Sequence, residues 1–172
     1  MVRMVFHVND VVAYGSNGIF RITAITKQKI GKTEMEYYVL KPVYERGGST
    51  IYVPTGNPRL AHKLRSVLSE QEVYELLNQL SAAPVSWIES QEDRKELYKK
   101  ILSEGNQRDM MRAVRALHLR QEEQQAKGKR LYLADERFLK EAEKLLCYEF
   151  AAALHMEPNQ IPSLITEKLH IS

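Results

Sequence analysis

The chain has a single cysteine, Cys147, among its 172 residues. One cysteine cannot form an internal disulfide, and such sparse use is typical of proteins from a reducing cytoplasm. The sequence also lacks an apolar run long enough to span a membrane. Its first residues reach a charged side chain without a hydrophobic segment, so we expect no signal peptide and no membrane partner. We therefore expect a cytoplasmic protein.

The common motifs of metal and nucleotide chemistry are missing as well. No two of the five histidines are three or four residues apart, and without a second cysteine a zinc site is not expected. There is no Walker loop and no dinucleotide fingerprint. The thiol of Cys147 falls on the apolar side of a predicted helix, which favours a buried, inert group. An enzyme is disfavoured, and no cofactor is expected.

The two halves of the chain differ in charge, although the net charge is only +3. Residues 1–66 contain ten lysines and arginines against four acidic residues, whereas residues 67–172 contain fifteen against eighteen. A basic N-terminal half suits an acidic protein or a nucleic acid. Solvated charge on a small domain explains the same numbers equally well.

The N-terminal part has the pattern of a β domain. Short runs rich in β-branched and aromatic residues, separated by polar or glycine-containing turns, occupy residues 11–14, 19–26, 36–42 and 49–54. Four or five such strands predict a small, strongly bent sheet or an SH3-like barrel. The prolines and glycine of residues 54–58 interrupt the pattern, so we predict one domain over residues 1–56 and a second over residues 57–172.

The second domain is predicted to be entirely helical, which makes the protein α+β. Ser69 and Glu72 form a capping box before an apolar stripe that ends near Ser81. Further apolar stripes predict helices over residues 92–103, from Asn106 until it frays at residues 121–125, and over residues 134–154. Little order is predicted after Pro158.

The only tryptophan, Trp87, lies in a predicted elbow between two helices. Pro84 ends the helix before it, and Ser86 and Ser90 each precede a carboxylate by three residues, a pattern typical of helix starts. An indole here is either a plug between packed helices or a rigid apolar wedge presented to a partner. Tryptophans are mostly buried, which favours the plug. The rigid backbone at a helix start favours the wedge.

Cations and tyrosines offer two further candidate surfaces. Cations at helical spacing are Arg108, Arg112 and Arg115, and others follow the tryptophan at Arg94, Lys95, Lys99 and Lys100. Such stripes suit phosphate contacts, but a solvated helix face has the same pattern. The tyrosines of the β domain, Tyr37, Tyr38, Tyr44 and Tyr52, suit either an exposed strand edge that pairs with a partner or the cover of a small core.

Several segments resemble the CarD/CdnL family. Residues 5–14, Gly18, residues 36–40 and residues 53–54 resemble its N-terminal module, which is shared with transcription-repair coupling factors. The elbow with Trp87, residues 103–105, 112–117 and 129–142 resemble its helical C-terminal domain. The resemblance extends to about residue 154.

The resemblance implies a bacterial transcription regulator that binds RNA polymerase. A Tudor-like barrel would dock on the polymerase β subunit by adding a strand edge. The helical domain would reach promoter DNA at the upstream edge of the melted bubble, where Trp87 wedges against the minor groove and slows bubble collapse. Tethering through polymerase would compensate for weak, non-specific binding to free DNA. We expect a monomer that associates with the nucleoid through polymerase.

The stripes of cations and the family resemblance together predict the site residues. Those assigned to DNA are Trp87, Arg94, Lys95, Lys99, Arg108 and Arg112. Those assigned to polymerase are Lys27, Gln28, Lys29 and Tyr52. The alternative is a protein-only adaptor whose barrel binds polymerase or another protein while Trp87 is buried. A third is an enzyme without a recognised motif.

Overall fold

The computed structural model describes residues 6–45 and 47–169, so Val5, where the first resembling segment begins, lies outside the described residues. The chain divides into two compact units, of which the first ends at Val67 and the second begins at Leu68. We call them the sheet unit and the helical unit. The protein is therefore α+β, as the sequence predicted.

Among its described residues, 6–45 and 47–67, the sheet unit contains five antiparallel strands and one short helix. The strands are β1 (Val11–Tyr14), β2 (Ile19–Ile30), β3 (Thr33–Pro42), β4 (Ile51–Pro54) and β5 (Leu64–Ser66), and the helix is α1 (Pro58–Ala61). The strands lie in the order β4-β3-β2-β1-β5, so β4 and β5 are the two edges. These edges do not pair with each other in the part of the chain that the structure describes. The predicted barrel is accordingly an open sheet.

Alternation along β2 explains which face of the sheet is buried. Phe20 and Ile22 are buried and Arg21 between them is exposed, as expected for a strand with one covered face. A bulge after Ile22 shifts the register, so that Ala24 is opposite Val39. The core cluster consists of Phe6, Val12, Phe20, Ile22, Tyr38, Leu40, Val53 and Leu64.

Strand β5 lies after residue 56, where the sequence placed the domain boundary. Residues 64–66 pair with residues 12–14 of β1, and Leu64 is buried in the sheet core. The sheet unit therefore continues to Val67 instead of ending at residue 56. A strand of three residues is too short to show the alternation by which a strand is recognised in a sequence.

The helical unit contains five α-helices within residues 68–169. They are α2 (Glu70–Ser81), α3 (Gln91–Glu104), α4 (Gln107–Ala126), α5 (Leu133–Leu154) and α6 (Ile161–Leu169), with a 3-10 turn at Pro158–Gln160. The side chains of Ser69, Ser90 and Asn106 cap α2, α3 and α4. Gly105 adopts the left-handed conformation that ends α3, with φ of 65°.

Three details differ from the sequence prediction. Ser86 does not start a helix, because α3 begins only after Ser90. Helix α4 does not fray at residues 121–125 but continues to Ala126. The tail forms α6, whose residues Ile161, Ile165 and Leu169 recur every four positions and are buried. A helix of nine residues is stable there because its apolar face packs on the unit, which local propensity does not indicate.

Candidate functional site

Residues 82–90 connect α2 to α3 without forming a helix or strand, and we call this segment the elbow. Its apolar side chains reach the surface: Val85 is 39% exposed and Ile88 is 38% exposed. Trp87 lies between them and is half-buried. A groove of about 400 Å³ lies beside the elbow, lined by the indole and by residues of α2, α3 and α4. The elbow thus presents apolar groups next to a concave surface.

An arginine from α4 holds the first end of the elbow. Nη1 of Arg115 donates hydrogen bonds to the main-chain oxygens of Leu80 and Ala83, the latter at 2.6 Å. Its Nη2 donates to the oxygen of Ser81 at 3.4 Å. The last carbonyls of a helix lack the usual i+4 donors, so this guanidinium adds donors at the end of α2, where the Leu80 oxygen also accepts from the main-chain N–H of Ala83 at 3.3 Å. Arg115 therefore fixes where the chain leaves α2.

A second arginine holds the other end. Nη1 of Arg94 donates to the main-chain oxygens of Ile88 and Glu89, at 2.9 Å and 3.0 Å. Its Nε and Nη2 donate to the two carboxylate oxygens of Asp135, at 3.0 Å and 2.9 Å. Tyr98 also donates its hydroxyl to Asp135, at 2.7 Å. One buried guanidinium therefore ties the end of the elbow to the start of α5.

Hydrogen bonding and burial keep Arg94 and Tyr98 of this cluster protonated. The hydrogen bond to Asp135 raises the pKa of Arg94 against the opposing effect of burial, so the guanidinium remains protonated. Burial, followed by the hydrogen bond to Asp135, raises the pKa of the Tyr98 phenol, so it remains a donor. The ring of Tyr98 stacks on Phe138 with centroids 4.0 Å apart. The cluster is thus held by packing as well as by charge.

Trp87 contacts two guanidinium groups. The Cζ atom of Arg94 is 4.6 Å from the centroid of the indole, and that of Arg120 is 5.3 Å from it. Both distances allow cation–π attraction. The indole is therefore neither a fully buried plug nor a free wedge. It is supported by cations on the protein and partly open to solvent.

Arg94, which the sequence assigned to DNA, is buried in this structure. Only 3% of its surface is exposed, and its donors are used by Asp135 and by the elbow carbonyls. A guanidinium in this position cannot reach a phosphate without breaking the cluster. Its spacing after Trp87 suggested a surface stripe, but the same spacing turns it toward α5.

The other residues assigned to DNA are exposed but are not gathered into one cluster. Arg112 is exposed and lines the groove beside Trp87. Lys95 and Lys99 are exposed on α3, and Nζ of Lys95 is 3.8 Å from a carboxylate oxygen of Glu92. Arg108 is exposed on α4 and donates to the side-chain oxygen of Gln79. Arg112 is the member of this set that shares the groove with the indole.

The residues assigned to polymerase lie on two different strands. Lys27, Gln28 and Lys29 are exposed near the end of the long β2–β3 hairpin, where Lys27 is opposite Glu36 and Lys29 is opposite Glu34. Tyr52 is on the edge strand β4 and is 53% exposed. Since acidic residues face the two lysines across the hairpin, the local charge is more balanced than the sequence suggested.

Sequence reasoning did not find Asp135 or Tyr132. Asp135 looked like an ordinary acidic residue at a helix start, and nothing in its spacing connects it with Arg94. Tyr132 precedes α5, where its ring centroid is 5.8 Å from Cζ of Arg94. An aromatic residue at a helix N-cap, where small polar residues are preferred, is the one signal that the sequence offered.

The described part of the chain shows neither a metal-ion site nor a membrane-spanning helix. No group of three or more histidine, cysteine, aspartate or glutamate side chains is placed to hold a metal ion within residues 6–45 and 47–169. Among the same residues, no helix combines the length and the apolar character that crossing a membrane requires.

Comparison with known protein families finds a match for the N-terminal part of the chain. Residues 6–68 match the family of the CarD-like/TRCF RID domain. No curated protein matches the sequence. The matched residues end within one position of the sheet unit, whose last residue is Val67. This match confirms the resemblance seen in the N-terminal module, and it concerns a domain that acts by interaction with RNA polymerase.

Proposed function

Because the chain carries a CarD-like/TRCF RID domain at residues 6–68, we propose that the protein is a bacterial transcription regulator that acts on the promoter open complex. The sheet unit docks on the β subunit of RNA polymerase. The helical unit contacts promoter DNA at the upstream edge of the melted bubble through Trp87. No bond is made or broken, so the regulator shifts the equilibrium between closed and open promoter states.

Strand β4 is the docking edge in this proposal. It is an edge strand, and its exposed Tyr52 lies beside main-chain groups that a partner strand can pair with. The lysines of the β2–β3 hairpin add charge for an acidic surface nearby, although Glu34 and Glu36 partly offset it. Main-chain pairing then supplies most of the affinity, and side chains supply the choice of partner.

The presentation of the elbow is the single observation that carries the DNA role. Arg94 and Arg115 fix both ends of a segment whose apolar residues Val85, Trp87 and Ile88 reach solvent. A rigid apolar group is suited to a distorted or unstacked base step. Tethering through polymerase raises the local concentration of DNA, so a few weak contacts suffice.

The test measures the lifetime of the open complex with Trp87→Ala and Tyr52→Pro. Trp87→Ala should shorten the lifetime and leave polymerase binding unchanged. Tyr52→Pro, which removes a main-chain donor from the edge strand, should weaken polymerase binding while the fluorescence of Trp87 stays that of the folded helical unit. Tyr52→Ala separates the loss of the ring from the loss of the donor.

A matched control is available for the tryptophan. Tyr74 is a half-buried aromatic residue of the same unit, and its ring is 5.8 Å from Nζ of Lys168. Tyr74→Ala should leave the open-complex lifetime at the wild-type value. Equal shortening by both variants would mean that the effect of Trp87→Ala comes from the fold of the helical unit.

A protein-only adaptor is the competing function, and one observation favours it. The exposed side chains of Glu89, Glu92 and Asp93 follow Trp87 and would repel phosphates next to the indole. In an adaptor the sheet unit binds polymerase and Trp87 contributes to the fold alone. The adaptor is the correct reading if Trp87→Ala leaves the open-complex lifetime unchanged while polymerase binding persists.

A further inference from the structure

We propose that Tyr132 is a second stacking ring for the unpaired promoter strand, next to Trp87. The inference rests on the proposed function and identifies the ligand of the same surface as single-stranded DNA. The sequence analysis assigned no role to Tyr132, and the family match at residues 6–68 does not reach it. Three independent observations on the helical unit carry it.

The first observation is that one guanidinium holds both rings. Cζ of Arg94 is 4.6 Å from the indole centroid of Trp87 and 5.8 Å from the ring centroid of Tyr132. Asp135 and the elbow carbonyls fix this guanidinium, so both rings lie within 6 Å of one fixed group. A nucleic acid strand that touches Trp87 can therefore reach Tyr132 with a nucleotide near to it along the strand.

The second observation is that helix capping does not explain a tyrosine at this position. Tyr132 is the N-cap residue of the 22-residue helix α5, and its side chain makes no capping hydrogen bond. Helices α2, α3 and α4 each begin with a serine or asparagine side chain that does. Tyr132 is instead 61% exposed. A residue that forgoes a cap to place a flat aromatic face in water is suited to stacking on a ligand.

The third observation is the charge of the connection between α4 and α5. Lys127, Lys129 and Arg130 are exposed and precede Tyr132 directly. No acidic residue lies between Gln124 and Asp135. The first acidic residues after Tyr132 are Asp135, which is buried in its pair with Arg94, and Glu136, which pairs with Lys140. The three cations are therefore available to phosphates on this side of the ring. Cations next to an exposed aromatic ring are the usual features of a site for single-stranded nucleic acid.

The ligand is an unpaired strand because an aromatic side chain stacks on the face of a base, and base faces are covered in an intact duplex. An acidic surface of the polymerase would also suit the three cations. It would not use the flat ring in the same way, because protein surfaces offer few planar groups of that size. The promoter strand, once melted, offers one at every nucleotide.

The experiment compares Tyr132→Ser and Tyr132→Phe in the full chain with RNA polymerase and a pre-melted promoter duplex. A 2-aminopurine base in the unpaired strand reports stacking. Tyr132→Ser installs a capping hydroxyl, so its thermal midpoint should equal or exceed that of wild type. Its open-complex lifetime should nevertheless fall by about fivefold or more, the equivalent of one lost stacking contact. Tyr132→Phe keeps the ring and should stay within about twofold of wild type.

Each remaining outcome overturns the inference in a recognisable way. A wild-type lifetime for Tyr132→Ser, with a shortened one for Trp87→Ala, removes Tyr132 from the site and leaves the proposed function standing. A wild-type lifetime for both variants removes the proposed function as well. Weaker binding of Tyr132→Ser to polymerase in the absence of DNA means that the ring contacts protein. A lower thermal midpoint means that the ring is structural.

Discussion

Arg94 and Asp135 are 41 residues apart and form a two-pronged ion pair, with Nε to Oδ1 at 3.0 Å and Nη2 to Oδ2 at 2.9 Å. Both side chains are almost completely buried. The same guanidinium binds the carbonyls of the elbow and lies over the indole of Trp87. The stability of the helical unit and the presentation of its surface tryptophan therefore depend on one pair of residues.

Asp135→Asn should lower the free energy of unfolding of the helical unit by roughly 3–5 kcal/mol, because it leaves a buried guanidinium without its counter-charge. Urea unfolding followed by Trp87 fluorescence measures this unit alone, since Trp87 is the only tryptophan. Glu136→Gln is the control. Glu136 pairs with Lys140 at the surface, at 3.7 Å, so its loss should cost less than about 1 kcal/mol. Similar losses for the two variants would contradict the importance of the buried pair.

Trp87→Ala should cost roughly 1–3 kcal/mol of unfolding free energy. The indole is half-buried and contacts two guanidinium groups, so its removal costs more than a surface substitution but less than the 3–5 kcal/mol, roughly, of a fully buried aromatic. Circular dichroism during thermal unfolding is the measurement, because this variant has no tryptophan fluorescence. A loss at the upper end of the range for buried aromatics would make Trp87 a plug.

The helical unit should lose stability in alkaline solution. Burial raises the pKa of the Cys147 thiol to about 11, with a smaller contribution from Glu143, and burial also raises that of Tyr98. Both groups keep their protons longer in the folded chain than in the unfolded chain. The resulting stability is complete below about pH 9 and is lost as the pH rises toward about 11. Unfolding midpoints over this range provide the test, and Cys147→Ala should flatten the curve.

A fragment that ends at Val67 should fold and bind polymerase, whereas one that ends at residue 56 should not fold. The shorter fragment lacks β5, so the main-chain groups of β1 lose their partners and the core loses Leu64. Far-ultraviolet circular dichroism and polymerase pull-down distinguish the two. Equal folding and binding by both fragments would mean that β5 is dispensable.

The sequence predicted best where a local pattern decides the structure. Alternation and turns indicated the strands, and the side chains of Ser69, Ser90 and Asn106 indicated three helix starts. Prediction from the sequence failed at β5, whose three residues form a strand only because β1 pairs with them. It failed at α6 for the same reason, because the helix depends on the face against which it packs.

The candidate site was harder to predict because its contacts are distant in sequence. Trp87 was identified from its rarity and its place after a proline. Arg94 was assigned to the surface, since helical spacing cannot reveal a carboxylate 41 residues away. Arg115 belongs to a stripe of cations in the sequence, but in the structure it holds the main chain of the elbow. Only the packing of α3, α4 and α5 separates these two arginines from the exposed ones.

The two arginines hold the elbow by the carbonyl oxygens of Ala83, Ile88 and Glu89, together with that of Leu80 at the end of α2. Every amino acid has that oxygen, so the path of the segment does not depend on which side chains it carries. Substitutions at Val85 or Ser86 can accordingly alter what the surface binds while the backbone keeps its course. The elbow is a place where binding preference can diverge quickly at little risk to folding.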